Sequence, residues 1–398
     1  MTLFSAVTLA PRDPILGLNE AFNSDPRSGK INLGVGVYFD EGGRIPLLQA
    51  VSKAQQSLLA ASAARGYLPI DGLPAYNQSV QHLLFGEKSE LLAAQRVVTC
   101  QALGGTGALK IGADFLKTLL PDAVVAISDP SWENHRALFA GAGFKVQNYR
   151  YYDAKSQGVD LDGMLEDLRA LPPGSVVLLH ACCHNQTGVD LAADDWQALI
   201  SVIKERDLVP FLDMAYQGFA QGIEGDAIAV RLLAHSGVTF LLASSFSKSF
   251  SLYGERVGAL SLVCASSGEA DRVRSQIKRV IRSNYSNPPI HGAALVSAVL
   301  GSAELSTLWQ EELAQMRGRI WAMRQGLAAR LSEQVSGRDF SFITRQRGMF
   351  SYSGLTAGQV DRLRDEFAIY AVGSGRICMA ALNNSNLQQV ASAIAKVL

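Results

Sequence analysis

The central part of the chain alternates short apolar runs with stretches whose apolar residues recur every three or four positions. Val97 to Cys100, Val124 to Ser128, Val176 to Cys182, Val209 to Leu212, Phe240 to Ala243 and Ala259 to Cys264 are brief and largely apolar. Strands covered on both faces read this way. Gly104 to Leu119, Glu133 to Ala142 and Asp195 to Arg206 carry helical periodicity between them. Strand alternating with helix predicts an α/β fold on a mostly parallel sheet.

The ends of the chain follow other patterns. From Leu305 to Leu331 the residues Leu305, Leu308, Trp309, Leu313, Met316, Ile320, Met323, Leu327 and Leu331 fall at three- and four-residue steps, which predicts one long amphipathic helix. Phe340 to Ile343 and Met349 to Tyr352 alternate like the strands of a hairpin, and Val360 to Phe367 and Leu387 to Val397 look helical. A smaller α+β unit with a boundary near residue 310 follows. The N-terminal arm, through about Gly42, has no sheet of its own and must pack on something else.

Composition narrows the functional classes. The 398 residues suit two or three domains at about 150 residues each. With 36 Lys+Arg and 36 Asp+Glu the net charge is zero, so no basic excess points to nucleic acid or an anionic membrane. At 48% hydrophobic and 18% charged residues the chain can bury a large core. It has no apolar stretch of the roughly 18 residues that a membrane helix needs. The opening has no basic residue before its short apolar run, and Arg12 follows it, which argues against a secretory signal. Cys100, Cys182, Cys183, Cys264 and Cys378 are odd in number with two adjacent, so reduced thiols in the cytoplasm are expected.

In open parallel sheets ligands sit beyond the carboxyl ends of the strands. Polar and ionisable residues stand at those ends here. Gly104-Gly105-Thr106-Gly107 opens a helix and is either an anion cradle or a tight turn. Lys248, in Ser244-Ser245-Phe246-Ser247-Lys248, is either a desolvated amine able to form a Schiff base or a surface lysine at a helix start. Arg256, between Gly254 and Gly258, reaches a phosphate or a neighbouring acid. Asp213 ends an apolar strand and needs a partner, whether a pyridinium nitrogen, an arginine or a backbone cap. Trp132 stacks on a flat ring or fills core. Arg376, among small residues, clamps a carboxylate or lies exposed. Arg279 and Arg282, before a rigid Asn-Pro-Pro turn, bind a ligand or solvate a helix face. Cys182-Cys183-His184 has the wrong spacing for a zinc pair, and no metal is expected. A phosphate cradle, a stacking aromatic, a buried acid, a Schiff-base lysine and carboxylate-binding arginines together describe a pyridoxal phosphate site for amino acids.

Ten ordered segments carry a family resemblance: INLGVGVY, YLPIDGLPAY, GGTGALK, DPSWENH, ACCHNQTG, FLDMAYQGF, SSFSKSFSLYGERVG, IRSNYSNPP, RGMFSYSGL and GSGRICMA. Over nearly the whole chain the sequence resembles the aspartate and aromatic-amino-acid aminotransferases of fold type I. The resemblance implies the pyridoxal 5′-phosphate transferase fold. Residues 1–42 would form the arm and part of a small domain, 43–310 a large cofactor-binding domain, and 311–398 the rest of the small domain. It also implies roles. Lys248 resembles the Schiff-base lysine and proton carrier, and Asp213 the acid paired with the pyridine nitrogen. Tyr216 and Asn185 match the groups on the phenolic oxygen, and Trp132 the stacking ring. Gly105, Thr106, Ser245 and Arg256 match the phosphate cup. Arg376 resembles the α-carboxylate clamp, with Gly36 and Asn185 beside it. Tyr67 and Arg282 resemble residues that cross from the other subunit of a homodimer with shared sites, to the phosphate and to a distal carboxylate.

The implied reaction passes an amino group from an amino acid to a 2-oxo acid in two half-reactions. The segments SLYGERVG, YLPIDGL and QRGMFSYSGL look like the aromatic branch, and Asn287 like the aspartate branch. A broad enzyme taking tyrosine, phenylalanine and aspartate is expected, with a dicarboxylate-preferring enzyme as the alternative. Lyase or decarboxylase chemistry on the same cofactor, or a non-catalytic binding protein, are the competing classes. One departure stands out. The family usually reads Asn-Pro-Thr-Gly, with a cis bond before the proline, where this chain has Asn185-Gln186-Thr187-Gly188. A retained cis bond at 185–186 is expected, despite its cost of about 2.5–4 kcal/mol without proline.

Overall fold

The computed structural model describes residues 2–10 and 15–398, so Arg12 lies outside it. A seven-stranded sheet forms the centre. From one edge to the other its strands are Val97–Leu103, Val257–Val263, Phe240–Ser245, Val209–Met214, Val176–His180, Val124–Asp129 and Lys145–Arg150. Only Val257–Val263 runs antiparallel to its neighbours. The inner strands are buried along nearly their whole length, as their apolar runs require. Successive side chains go to opposite faces. Phe211 and Leu241 join Leu109, Phe115 and Phe139 on one side, while Leu212 and Leu242 join Trp196, Leu199 and Trp309 on the other.

The helices Gly104–Leu119, Glu133–Gly141 and Ala193–Glu205 stand where the periodicity puts them. The long helix runs from Ala303 to Gln334, and its buried stripe includes Trp309, Leu313, Met316, Ile320, Met323, Leu327 and Leu331. Residue 310 lies inside it. The arm finds its partner at the other end of the chain. Ile31 and Asn32 pair in parallel with Ile369 and Tyr370. Arg319 of the long helix donates to Tyr38 Oη at 2.8 Å, Leu382 O at 2.6 Å and Ala380 O at 2.9 Å, which holds the two ends together.

Two expectations need correction. Phe340–Ile343 and Met349–Tyr352 do not form a hairpin. Phe342–Arg345 is a short helix, and Phe350–Tyr352 pairs instead with Arg376–Cys378. Asp339 accepts from the amide of Ser341 at 2.8 Å and starts the turn. The fully buried Arg324 then gathers the carbonyls of Ile343, Gly348 and Phe350 around its guanidinium. The second correction is at 185–186. Asp129–Pro130 is the one cis peptide among the described residues, so Asn185–Gln186 is trans. Without proline the trans form is the cheaper one. No single helix among the described residues is long and apolar enough to cross a membrane.

Candidate active site

The strand ends converge on a cavity of about 650 Å³. Its walls include Gly36, Gly105, Thr106, Trp132, Asn185, Asp213, Tyr216, Ser245, Lys248, Arg256 and Arg376, which are eleven of the thirteen residues to which the resemblance gives roles. Tyr67 and Arg282 are the other two, and neither lines it. Tyr67 is 95% exposed. Arg282 is exposed on the helix Ser267–Asn284 and donates to Ser286 Oγ. A larger groove of about 1230 Å³ elsewhere, among His82, Lys88, Arg96 and Arg231, holds none of the thirteen.

One end of the cavity is built for an anion. The strand Val97–Leu103 delivers the chain to Gly104, where φ of +69° turns it into the helix. The first amides of a helix have no intrahelical acceptor, and no side chain caps them here. A Cβ on Gly104 would sit 2.5 Å from the Arg256 guanidinium, and one on Gly105 would sit 3.3 Å from Ser245 Cβ. Glycine therefore lets a guanidinium and a serine close in on the helix N-terminus. Arg256 is held by Tyr253 O at 3.1 Å and Ser247 Oγ at 3.2 Å. It makes no ion pair with an acid among the described residues, which leaves its charge for a ligand. The cradle fits a phosphate.

Across the cavity lies the acid. Asp213 Oδ2 is 3.0 Å from His135 Nε2, and His135 Nδ1 is 2.9 Å from Ser131 Oγ. Burial pushes the Asp213 carboxyl up, but His135, His180 and Lys248 outweigh it and the net shift is downward. The carboxylate is thus charged and suited to a cationic ring nitrogen. Its protein partner is a histidine, not the arginine or backbone cap considered from sequence. His135 packs against His180 at 5.2 Å, and His180 against His184 at 4.3 Å. Burial first, then repulsion from His135, pushes His180 down to about 3, with Asp213 opposing, so His180 is neutral at working pH.

Lys248 Nζ lies 4.9 Å from the centre of the Tyr216 ring. Burial lowers it from the ordinary lysine value to about 8; Asp213 opposes this, and Arg256 and Arg376 add to it. The lowered value leaves more of the amine neutral near neutral pH than an ordinary lysine has, which suits a nucleophile and proton carrier. Tyr216 is pushed well above the ordinary tyrosine value by burial, with Arg376 opposing, so its hydroxyl stays a donor. Trp132 is partly exposed at the cavity wall and meets His135 edge-on at 5.2 Å.

Arg376 is 1% exposed, which removes the exposed-arginine reading. Its Nη1 donates to Asn185 Oδ1 at 3.0 Å and its Nη2 to Gly34 O at 2.8 Å. The guanidinium lies 4.3 Å from the Phe350 ring centre. Nε is buried without a partner, and no carboxylate balances the charge among the described residues. Unlike Arg324, whose guanidinium is taken up by backbone carbonyls, Arg376 lines the cavity with donor capacity left over, which suits it to a carboxylate.

A family model for "Aminotransferase class I and II" matches residues 28–394. The chain belongs to this aminotransferase family. It is 68% identical over 398 residues to a protein named aspartate aminotransferase from Pseudomonas aeruginosa, covering all of both chains. It is 52% identical over 397 residues to an aromatic-amino-acid aminotransferase from Escherichia coli, again over the full length of both. A crystal structure of an aromatic-amino-acid aminotransferase from Burkholderia pseudomallei, covalently bound to pyridoxal phosphate, superposes with a TM-score of 0.98 at 66% identity and full coverage of both chains. This aminotransferase thus has the pyridoxal-phosphate transferase fold.

Sequence reasoning missed several wall residues. Glu133, Asn134, Ser247, Tyr253 and Phe350 also line the cavity. His135 stands within the DPSWENH segment, and its place in that segment is the one signal the sequence offers for it. Two groups of possible metal ligands, His135–His180–Asp213 and Cys182–Cys183–Asp226, lie within 4.8 Å internally. Asp213 is engaged with His135, and Asp226 accepts from the amides of Gly218, Ala220 and Gln221, so both acids already serve other bonds.

Proposed function

We propose a broad aromatic-amino-acid aminotransferase that moves the amino group of tyrosine, phenylalanine or aspartate to 2-oxoglutarate by a ping-pong route. The cofactor is pyridoxal 5′-phosphate, held by Gly105, Thr106, Ser245 and Arg256 at its phosphate and by Asp213, Tyr216, Asn185 and Trp132 around its ring. When bound it supplies an electron-withdrawing ring that accepts the electrons of the substrate's Cα–H bond. Lys248 would hold the cofactor and, as a free amine, would carry the proton to and from the substrate's Cα. Asp213 keeps positive charge on the ring nitrogen. Tyr216 and Asn185 donate to the phenolic oxygen. Arg376 binds the α-carboxylate and so fixes which Cα–H bond faces Lys248.

The buried Arg376 without a counter-ion carries this reading, because every amino acid and 2-oxo acid substrate brings the carboxylate it lacks. The exposed Tyr67 and Arg282 support a homodimer in which each completes the other subunit's site. Five free, buried cysteines support a cytoplasmic setting. Identity of 68% to a protein named aspartate aminotransferase favours the second reading, a dicarboxylate-preferring enzyme. Single-turnover loss of the cofactor's yellow absorbance separates the two. Comparable rates with tyrosine and aspartate are expected. Reaction with aspartate alone establishes the second reading, and pyruvate or CO₂ release without an amino acceptor overturns both.

A further inference from the structure

Gln186 occupies the place where the family resemblance expects proline, and it is 3% exposed. Its side chain makes three bonds that no proline can make. Nε2 donates to Ser131 O and to Glu133 Oε1, both at 2.8 Å. Oε1 accepts from Ser374 Oγ at 3.2 Å. Glu133 lines the cavity, and Ser131 and Ser374 stand beside the wall residues Trp132 and Arg376. Ser131 and Glu133 flank Trp132. Ser374 lies two residues before Arg376 in the turn that begins its strand. The neighbouring Asn185 meets Arg376 directly, so residues 185 and 186 grip the same turn at two points.

The Gln186 amide also gives Glu133 its one hydrogen bond among the described residues, while Glu133 Oε2 is buried without a partner. Removing the amide strands a carboxylate on the wall of a cavity that must admit carboxylates. We propose that Gln186 is a positioning residue for carboxylate binding: it fixes the Arg376 turn through Ser374 and restrains Glu133 beside Trp132. The inference rests on the assignment of Arg376 as the carboxylate receptor.

The test uses the cofactor-loaded protein and 3-phenylpropanoate, an unreactive acid with one carboxylate, titrated by calorimetry. Gln186→Pro and Ser374→Ala are each expected to weaken its binding by about 3- to 10-fold, the worth of one or two hydrogen bonds. The double variant should bind no more weakly than Gln186→Pro alone, because Ser374 acts through Gln186. KM should rise by the same factor for tyrosine and aspartate, with kcat held within about threefold, since both share the α-carboxylate. In the Gln186→Ala background, Glu133→Gln should recover part of the loss by removing the stranded charge. Binding within twofold of the parent in Gln186→Pro, or losses that simply multiply in the double variant, would overturn the proposal. Ser374 is exposed, so its variant decides alone if the Gln186 variants fail to fold. Absence of binding to the parent overturns the Arg376 assignment and this inference with it. Normal parent binding with unaffected variants overturns the inference alone.

Discussion

The two ends of the cavity are built differently. The end with the anion cradle, Asp213 and Lys248 is walled almost wholly by one chain. Helix amides, Arg256, Asp213 and Lys248 are all anchored at strand ends of a buried sheet, and Asp213 is braced from behind by His135. The distal end is left open. Among the described residues Arg282 bonds only within its own turn, and Tyr67, which the resemblance assigns to the phosphate, likewise stands almost wholly in solvent. A rigid sheet fixes charges to within fractions of an ångström, which the common chemistry requires. Arg282 and Tyr67 have no such anchor among the described residues of the single chain. The proposed homodimer would add selectivity through Arg282 to chemistry that the fold already positions.

The largest expected effect breaks the closed end. Lys248→Ala should lower turnover by at least about 10⁴-fold in single-turnover assays, with a folded protein retained. Near-normal turnover would remove the central assignment. The same variant tests the lysine's burial in cofactor-free protein. Its folded value, about 8, lies below the ordinary 10.5 of the unfolded chain. Between those values the unfolded chain binds more protons, so stability should rise with pH from about 8 to 10.5. Denaturant melts should show that rise in the parent and not in Lys248→Ala.

Asp213→Asn should cost about 10²–10³-fold in kcat, the scale of losing one preorganised charge. Asp213 raises the Lys248 value, so its removal should move the lysine's midpoint below about 8. The pH profile of pyridoxal phosphate uptake by cofactor-free protein reads this directly. A midpoint that stays put or rises would show that the two groups do not interact.

The closed end was also the more legible one. Apolar runs such as Phe211–Leu212 and Leu241–Leu242 announce strands because both faces of the sheet are covered. Residues at the ends of such strands then become candidates by position alone. The edge strand Lys145–Arg150 buries only Tyr149, so no apolar run marks it. The turn after Phe340 was misread because a buried arginine 16 residues upstream, Arg324, claims its carbonyls, and such a bond has no local pattern. His135 and Asp213 are 78 residues apart, so their contact is equally silent in the sequence. The burial of Arg376 could not be seen either, since small flanking residues suit an exposed turn as well as a buried one.

At the open end the expected effects are smaller and selective. Arg282→Ala should reduce kcat/KM for aspartate by about 10- to 100-fold, the worth of a charge-assisted bond to a carboxylate. Tyrosine should stay within about threefold. An equal loss on both substrates would make Arg282 structural, and no loss on either would leave the distal carboxylate to another group.

The smallest effect gives the sharpest test of the comparison. Tyr67→Phe removes one hydroxyl, so cofactor should bind about 3- to 10-fold more weakly in equilibrium dialysis. The size alone cannot say whose site the hydroxyl serves; a mixed dimer can. One subunit carries Lys248→Ala with Tyr67 intact, and the other carries Tyr67→Phe with Lys248 intact. If the hydroxyl crosses the interface, the sole working site has its own Lys248 and Tyr67 of the partner subunit, and it should hold cofactor as tightly as the parent. If the hydroxyl serves its own subunit, that site keeps the full Tyr67→Phe defect. The phosphate end would then be complete within one chain, and the exposure of Tyr67 would mean nothing for assembly.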